Sequence, residues 1–142
     1  MDKKLILEKL NKLRKLVEAK NKLKSKPITR QELKDMIKNG EDITDVNISK
    51  IKDMSYIFAF DIDIVGDISN WDVSKVKNMA SMFKDNKLFN QDISDWNTKN
   101  VQEMQYMFNN SVFNQDISDW DVSKVKNMHF MFAYSQFNQD IS

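Results

Sequence analysis

The 142-residue chain contains no cysteine, one proline, two glycines and one histidine. Without cysteine there are neither disulfides nor thiolate metal ligands, although either redox compartment stays open. So little glycine and proline argues against a chain built from tight glycine turns. No run approaches the roughly 18 apolar residues that a membrane-spanning helix needs. The opening MDKKLILEKLNKLRKLVEAK is broken by Lys or Glu every few residues and lacks the unbroken apolar stretch of a secretory signal.

What is present suffices for a core: 41% hydrophobic and 11% aromatic residues, with 30% charged residues to keep the surface wet. The formal net charge of +1 conceals a division along the chain. Residues 1–30 carry 11 basic against 3 acidic side chains, and residues 31–142 carry 11 against 18. A basic segment joined to an acidic body invites self-docking or a polyanionic partner.

Residues 1–27 read as a basic amphipathic helix ended by Pro27. Ile6, Leu10, Leu13, Leu16, Val17 and Leu23 recur at spacings of three and four, and Lys20 interrupts that face. Residues 28–41 read as a capping helix. Thr29 with Glu32 forms a capping box, Ile28 with Leu33 a hydrophobic staple, and Asn39-Gly40 a stop, which predicts a helix over 30–38 with Leu33, Met36 and Ile37 facing inward.

From 42 onward the chain repeats. The word FNQDIS stands at 89–94, 113–118 and 137–142, and Trp71, Trp96 and Trp120 are spaced by 25 and 24 residues. Units fall at about 42–66, 67–91, 92–115 and 116–139, with a fifth opening at 140. Such periods mean stacked coils, because one unit cannot bury its own apolar face. Within a unit, Ile68, Trp71 and Val73 have the spacing of a leucine-rich-repeat strand. Val76, Met79, Met82 and Phe83 have that of a short helix. The expected fold is therefore α/β: a leucine-rich-repeat-like solenoid of about four coils, each a short strand plus a short helix, with an N-terminal helical cap. In the hexapeptide, Phe89, Phe113 and Phe137 should turn inward and Ile93, Ile117 and Ile141 begin the next strand. Asn-Gln-Asp between them should bond to corner backbone groups.

The pattern MFxxxxxFNQDISxWDVSxVxNMxxMF, visible in 82–108 and 107–132, resembles the repeat of BspA-like leucine-rich-repeat proteins of bacterial surfaces. The lead-in ITRQELKDMIKNGEDITDVNISKIKDMSYIF is similar to the capping region of such arrays. The resemblance covers about 28–142. It implies a solenoid displayed at a cell surface or secreted, used for adhesion or protein binding, with no catalytic role.

Chemistry-bearing residues are few. His129 shares a column with Ser55, Ala80 and Gln105, which fits a surface flank better than a catalytic base. No G-x-S-x-G, Walker loop or H-E-x-x-H occurs. Asp61, Asp63 and Gly66 mimic positions 1, 3 and 6 of a calcium loop, but Val65 and Asp72 do not fit positions 5 and 12. A ladder of Asp67, Asp92, Asp116 and Asp140 is explained by the repeat without metal. No cofactor is expected, and no enzyme.

Two faces are candidate binding sites. If Trp71 and Val73 point inward, their neighbours point out along a strand. This gives a concave, largely anionic face of Asp45, Asn47, Asn70, Asp72, Asp95, Asn97, Asp119 and Asp121, suited to a cationic or hydroxyl-rich partner. On the helical side, Tyr56, Ser81, Tyr106 and Phe130 share an outward column, and Tyr56, Tyr106, Phe130 and nearby Tyr134 form an aromatic stripe. The basic helix has no aromatic residue to stack on bases or anchor in a bilayer, which disfavours nucleic acid and lipid. Its apolar face is expected to pack as an extra cap or to self-associate. The reading is non-enzymatic recognition of a protein or glycan through the concave strand face. The rival is a self-assembling module that pairs through its last coil and its N-terminal helix.

Overall fold

The computed structural model describes residues 2–142, apart from the side chains of residues 23–25. Leu23, assigned above to the apolar face of the basic helix, therefore lies outside the described side chains.

Two helices open the chain, α1 over Lys3–Ser25 and α2 over Arg30–Lys38. The second has the local chemistry of its sequence. The Glu32 amide donates to Thr29 Oγ1 at 3.1 Å, and the Thr29 amide donates to Glu32 Oε1 at 3.3 Å. At the other end Gly40 takes φ 68°, and the Glu41 amide reaches back to the Met36 carbonyl, closing the helix. Leu33 is fully buried, and Met36 and Ile37 pack beside it on the core. The helix thus covers the first coil. Helix α1 behaves differently: Leu5, Ile6, Leu10, Leu13, Leu16 and Val17 are all exposed, so none of these side chains packs as an extra cap.

The remainder is a stack of coils, and it overturns the expected fold class. Among the described residues no β-strand forms. There are only isolated parallel bridges, Pro27 to Asn47 and then Asp53, Asn78, Glu103 and Asn127 in succession. Nor is there any helix after Lys38. The leucine-rich-repeat coil of strand plus helix is absent. The segment read as a helix, around Met79–Phe83, instead divides its backbone bonds between two directions. The amides of Met79, Ser81, Phe83 and Asp85 donate to Glu103, Gln105, Met107 and Asn109 in the next coil. The alternate amides of Met82, Lys84 and Asn86 fold back three residues to Met79, Ser81 and Phe83. A helix would send every amide four residues back. Here a carbonyl row 24 residues away takes every second one, and the backbone folds into linked turns between.

The segment read as a strand is also a run of turns. Trp71 donates its amide to the Ile68 carbonyl and Val76 to the Val73 carbonyl. Asp and Asn side chains close these turns on the amide two residues ahead. One such column is Asp42, Asp67, Asp92, Asp116 and Asp140, at 2.8 to 2.9 Å. A second is Asn47, Asp72, Asn97 and Asp121, at 2.9 to 3.2 Å. A third is Asp53, Asn78 and Asn127, at 2.9 to 3.1 Å. These short polar side chains do what glycine turns would do elsewhere.

The core runs through the stack as columns of rings. Phe58, Phe83, Phe108 and Phe132 stack at centroid distances of 5.6, 5.6 and 5.8 Å. Phe89, Phe113 and Phe137 form a parallel column at 5.8 and 6.2 Å. Each buried indole donates to an isoleucine carbonyl in the coil before it: Trp71 to Ile43, Trp96 to Ile68 and Trp120 to Ile93, at 3.0 to 3.1 Å. The three tryptophans therefore share one core.

The hexapeptide supplies the corner. Asn114 and Asn138 donate their amides to the side chains of Asn90 and Asn114, forming an asparagine ladder at 2.8 and 2.9 Å. Gln91, Gln115 and Gln139 each donate to a carbonyl of the preceding coil. Where the first coil has Gly66 in place of these glutamines, φ is 116° and an added Cβ would lie 2.5 Å from Asp42 Oδ1 and Thr44 Oγ1. Glycine is required there.

Candidate functional site

Of the eight residues expected on a strand face, four bond to the turns just described. Asn47, Asp72, Asn97 and Asp121 each accept the amide two residues ahead. The Ser74 hydroxyl, then its amide, holds the Asp72 carboxyl below the ordinary carboxylate range, and Ser123 does the same for Asp121. The other four, Asp45, Asn70, Asp95 and Asp119, are exposed beside them. Asp45, Asn47, Asn70 and Asp72 come together with Trp71 and with Asn21 of α1 around an open cavity of about 550 Å³. These residues lie on turns and not on a strand.

The carboxylates elsewhere follow the same rule. Hydroxyl and then amide of the serine two residues on lower Asp92, Asp116 and Asp140; for Asp67 the Ser69 amide acts first. Asp116 is opposed in part by its column neighbours Asp92 and Asp140. A general acid needs the reverse shift. Among the described residues, no three of His, Cys, Asp or Glu gather in a way that could hold a metal. His129 is exposed, and its amide bonds to Asn127.

The aromatic residues make a more unusual surface. The coil-to-coil ladder includes two columns with left-handed backbones, whose members reach the surface except for Ser81, which is buried. One is Tyr56, Ser81, Tyr106 and Phe130, with φ of 59°, 56°, 58° and 54°. The other is Phe60, Asp85, Asn110 and Tyr134, with φ of 67°, 57°, 51° and 58°. Asn and Asp tolerate this region; bulky aromatics are outliers there. Tyr56, Phe60, Tyr106, Phe130 and Tyr134 are nevertheless all exposed. Tyr106 stacks on Phe130 at 5.4 Å, and Tyr56 on Phe60 at 6.3 Å. The Lys84 ammonium sits 5.4 Å from the Tyr106 ring centroid.

So the stripe of Tyr56, Tyr106, Phe130 and Tyr134 does face solvent, but it belongs to a turn ladder and not to helices. Phe60 and Lys84 were missed. Their signal was present, because Phe60 stands four residues after Tyr56 as Tyr134 does after Phe130.

The repeat fixes kinship. A family model described as "Mycoplasma protein of unknown function, DUF285" matches residues 29–142. The chain belongs to that family. The match takes in α2 and every coil of this DUF285 repeat and leaves α1 outside. No curated protein and no solved structure matches the chain. With the strand-and-helix coil absent and the family's function unknown, the leucine-rich-repeat and adhesion expectations lose their ground. No helix of the described chain is long and apolar enough to cross a membrane.

Proposed function

We propose that the chain is a non-enzymatic recognition module that contacts a partner through the aromatic face of its coils. The observation that supports this reading is the placement of five exposed rings at left-handed positions. Backbone strain of this kind costs roughly 1–3 kcal/mol per residue and is typical of binding surfaces rather than of inert ones. Asn, Asp or Gly would hold the same turns at lower cost, as Asp85 and Asn110 do in the second column. The anionic turn face lies along the same coils as a second, polar surface.

The test compares the native chain with a Tyr106→Ser, Phe130→Ser, Tyr134→Ser variant on arrays of immobilised proteins and glycans. Signals that vanish in the variant support the reading. Signals that persist in full, or none above background for the native chain, overturn it.

One observation favours self-association through the last coil. The amides of Met128, Phe130, Phe132 and Tyr134 have no backbone acceptor among the described residues. Met128 and Phe132 line a cavity of about 240 Å³ with Ile117, Trp120, Val122, Met131 and Ile141. That row consists of donors, so two copies cannot pair last coil to last coil through it; the surface facing it must offer carbonyls. Sedimentation equilibrium across a hundredfold concentration range decides this, with a constant monomer mass ruling association out.

A further inference from the structure

Helix α1 carries an apolar face that the coils leave uncovered. Leu5, Ile6, Leu10, Leu13, Leu16 and Val17 are between 39% and 66% exposed, and Leu5, Ile6, Leu10 and Leu13 line with Lys9 a groove of about 290 Å³. At about 100° per residue the six side chains occupy an arc of about 140°; Leu7 lies off it. The charges are sorted around that arc. Lys12 borders one edge, Lys3 and Arg14 border the other, and Lys9 and Lys20 project from within it. Glu8 and Glu18 lie on the far side. In all, Lys3–Ser25 holds nine basic and two acidic residues, so whatever covers this face is anionic.

We propose that α1 lies flat on an anionic lipid surface, its apolar arc sunk among the acyl chains and its bordering cations against headgroup phosphates. The acidic coils do not fill the role. They are tethered to α1 and meet it at a high effective concentration, yet the six side chains stay exposed. Contact with the coils comes near the C-terminal end of α1, where Asn21 lines the cavity shared with Asp45 and Asn70. The coils of a second copy would do no better. A second α1 would set its own nine cations beside the first, with both glutamates turned away from the seam. A helix of an acidic protein would answer the charge, but a helix–helix seam is narrower than this arc and would bury Lys9 and Lys20. At a bilayer surface those two side chains extend past the leucines to the headgroups. The helix is about 35 Å long and not apolar enough to cross a bilayer, so it lies along the surface. With no aromatic anchor, aliphatic burial and charge must act together, and a neutral bilayer should hold it poorly. The family match starts after α1, so this contact is separate from the aromatic face of the coils.

The test floats the full chain with vesicles of phosphatidylcholine alone or of an equal mixture with phosphatidylglycerol. Affinity for the mixed vesicles should exceed that for the neutral ones by about tenfold or more, and added salt should weaken it. The double variant Leu10→Gln, Leu13→Gln keeps helix propensity and touches no coil, so its melting temperature should match the native chain while its affinity falls about tenfold or more. Lys9→Gln, Lys12→Gln, Lys20→Gln should lose affinity for the mixed vesicles as well. No flotation with mixed vesicles overturns the proposal, as does equal flotation with neutral ones or flotation that survives Leu10→Gln, Leu13→Gln. A dimer in place of vesicle binding, abolished by the same leucine variant in sedimentation, would assign the face to a second copy and overturn it. Capture of a synthetic glutamate-rich amphipathic helix in place of vesicle binding would overturn it in favour of an acidic protein.

Discussion

At Tyr134 the backbone sits at φ 58° beneath a ring that is 89% exposed. Asn visits this region readily, whereas a bulky L-residue incurs roughly 1–2 kcal/mol. Tyr134→Asn should therefore raise unfolding stability by about 1 kcal/mol, read as a higher urea midpoint with unchanged slope. A lower midpoint would mean that the ring makes contacts that outweigh the strain. The turn aspartates give a second expectation. Serine hydroxyls and amides depress Asp67, Asp72, Asp92, Asp116, Asp121 and Asp140 in the folded chain. Their stabilisation is complete above the unfolded value of about 3.9 and disappears as pH falls through the lowered folded values. Urea midpoints should thus hold steady between pH 7 and pH 5 and fall steadily below pH 4. A midpoint that rises in acid would contradict the turn chemistry.

At the scale of the element, α1 and α2 have opposite status. Helix α2 covers the core with Leu33, and its capping box is complete, so Thr29→Ala should cost about 1 kcal/mol in a thermal or urea melt. Helix α1 leaves Leu5, Leu7, Leu10, Leu13 and Leu16 in solvent, so removing residues 2–25 should leave the melting temperature within experimental error. A fall of several degrees would show that α1 supports the coils after all. Within the stack, Phe108 touches Phe83, Phe113, Phe132 and Trp120. Phe108→Ala should destabilise by about 3–5 kcal/mol, a loss that calorimetry reads directly. The span of α2 was legible because each of its signals lies within a few residues of the backbone group it satisfies. The coil's conformation was not, because the acceptor for the Ser81 amide is Gln105, and no local spacing reveals a partner 24 residues away. Val76, Met79 and Phe83 fit a helical period, yet the same residues fit an inward column of a turn ladder equally well. The aromatic stripe was legible as exposed; its left-handed backbone was not, since propensity argues against Tyr and Phe in that region.

For the whole molecule, register carries the fold. Identical residues recur at 24 or 25 positions, so phenylalanine stacks on phenylalanine, asparagine bonds to asparagine, and each indole reaches one coil back. The one change of period falls between Phe83 and Phe89 in the second coil, which holds one residue more than the matching stretch from Phe108 to Phe113. Asn86 absorbs it: fully buried, it donates to the Phe58 and Ile62 carbonyls and accepts from the Leu88 and Phe89 amides. The central claim is that alternate amides of the Met-Phe segment bond across coils and not along a helix. Through-hydrogen-bond scalar coupling in NMR observes this bond by bond. The account predicts coupling from the Ser81 amide nitrogen to the Gln105 carbonyl carbon and from Phe83 to Met107. Coupling from Phe83 to the carbonyl of Met79 instead would mean a helix in that segment and would contradict the account.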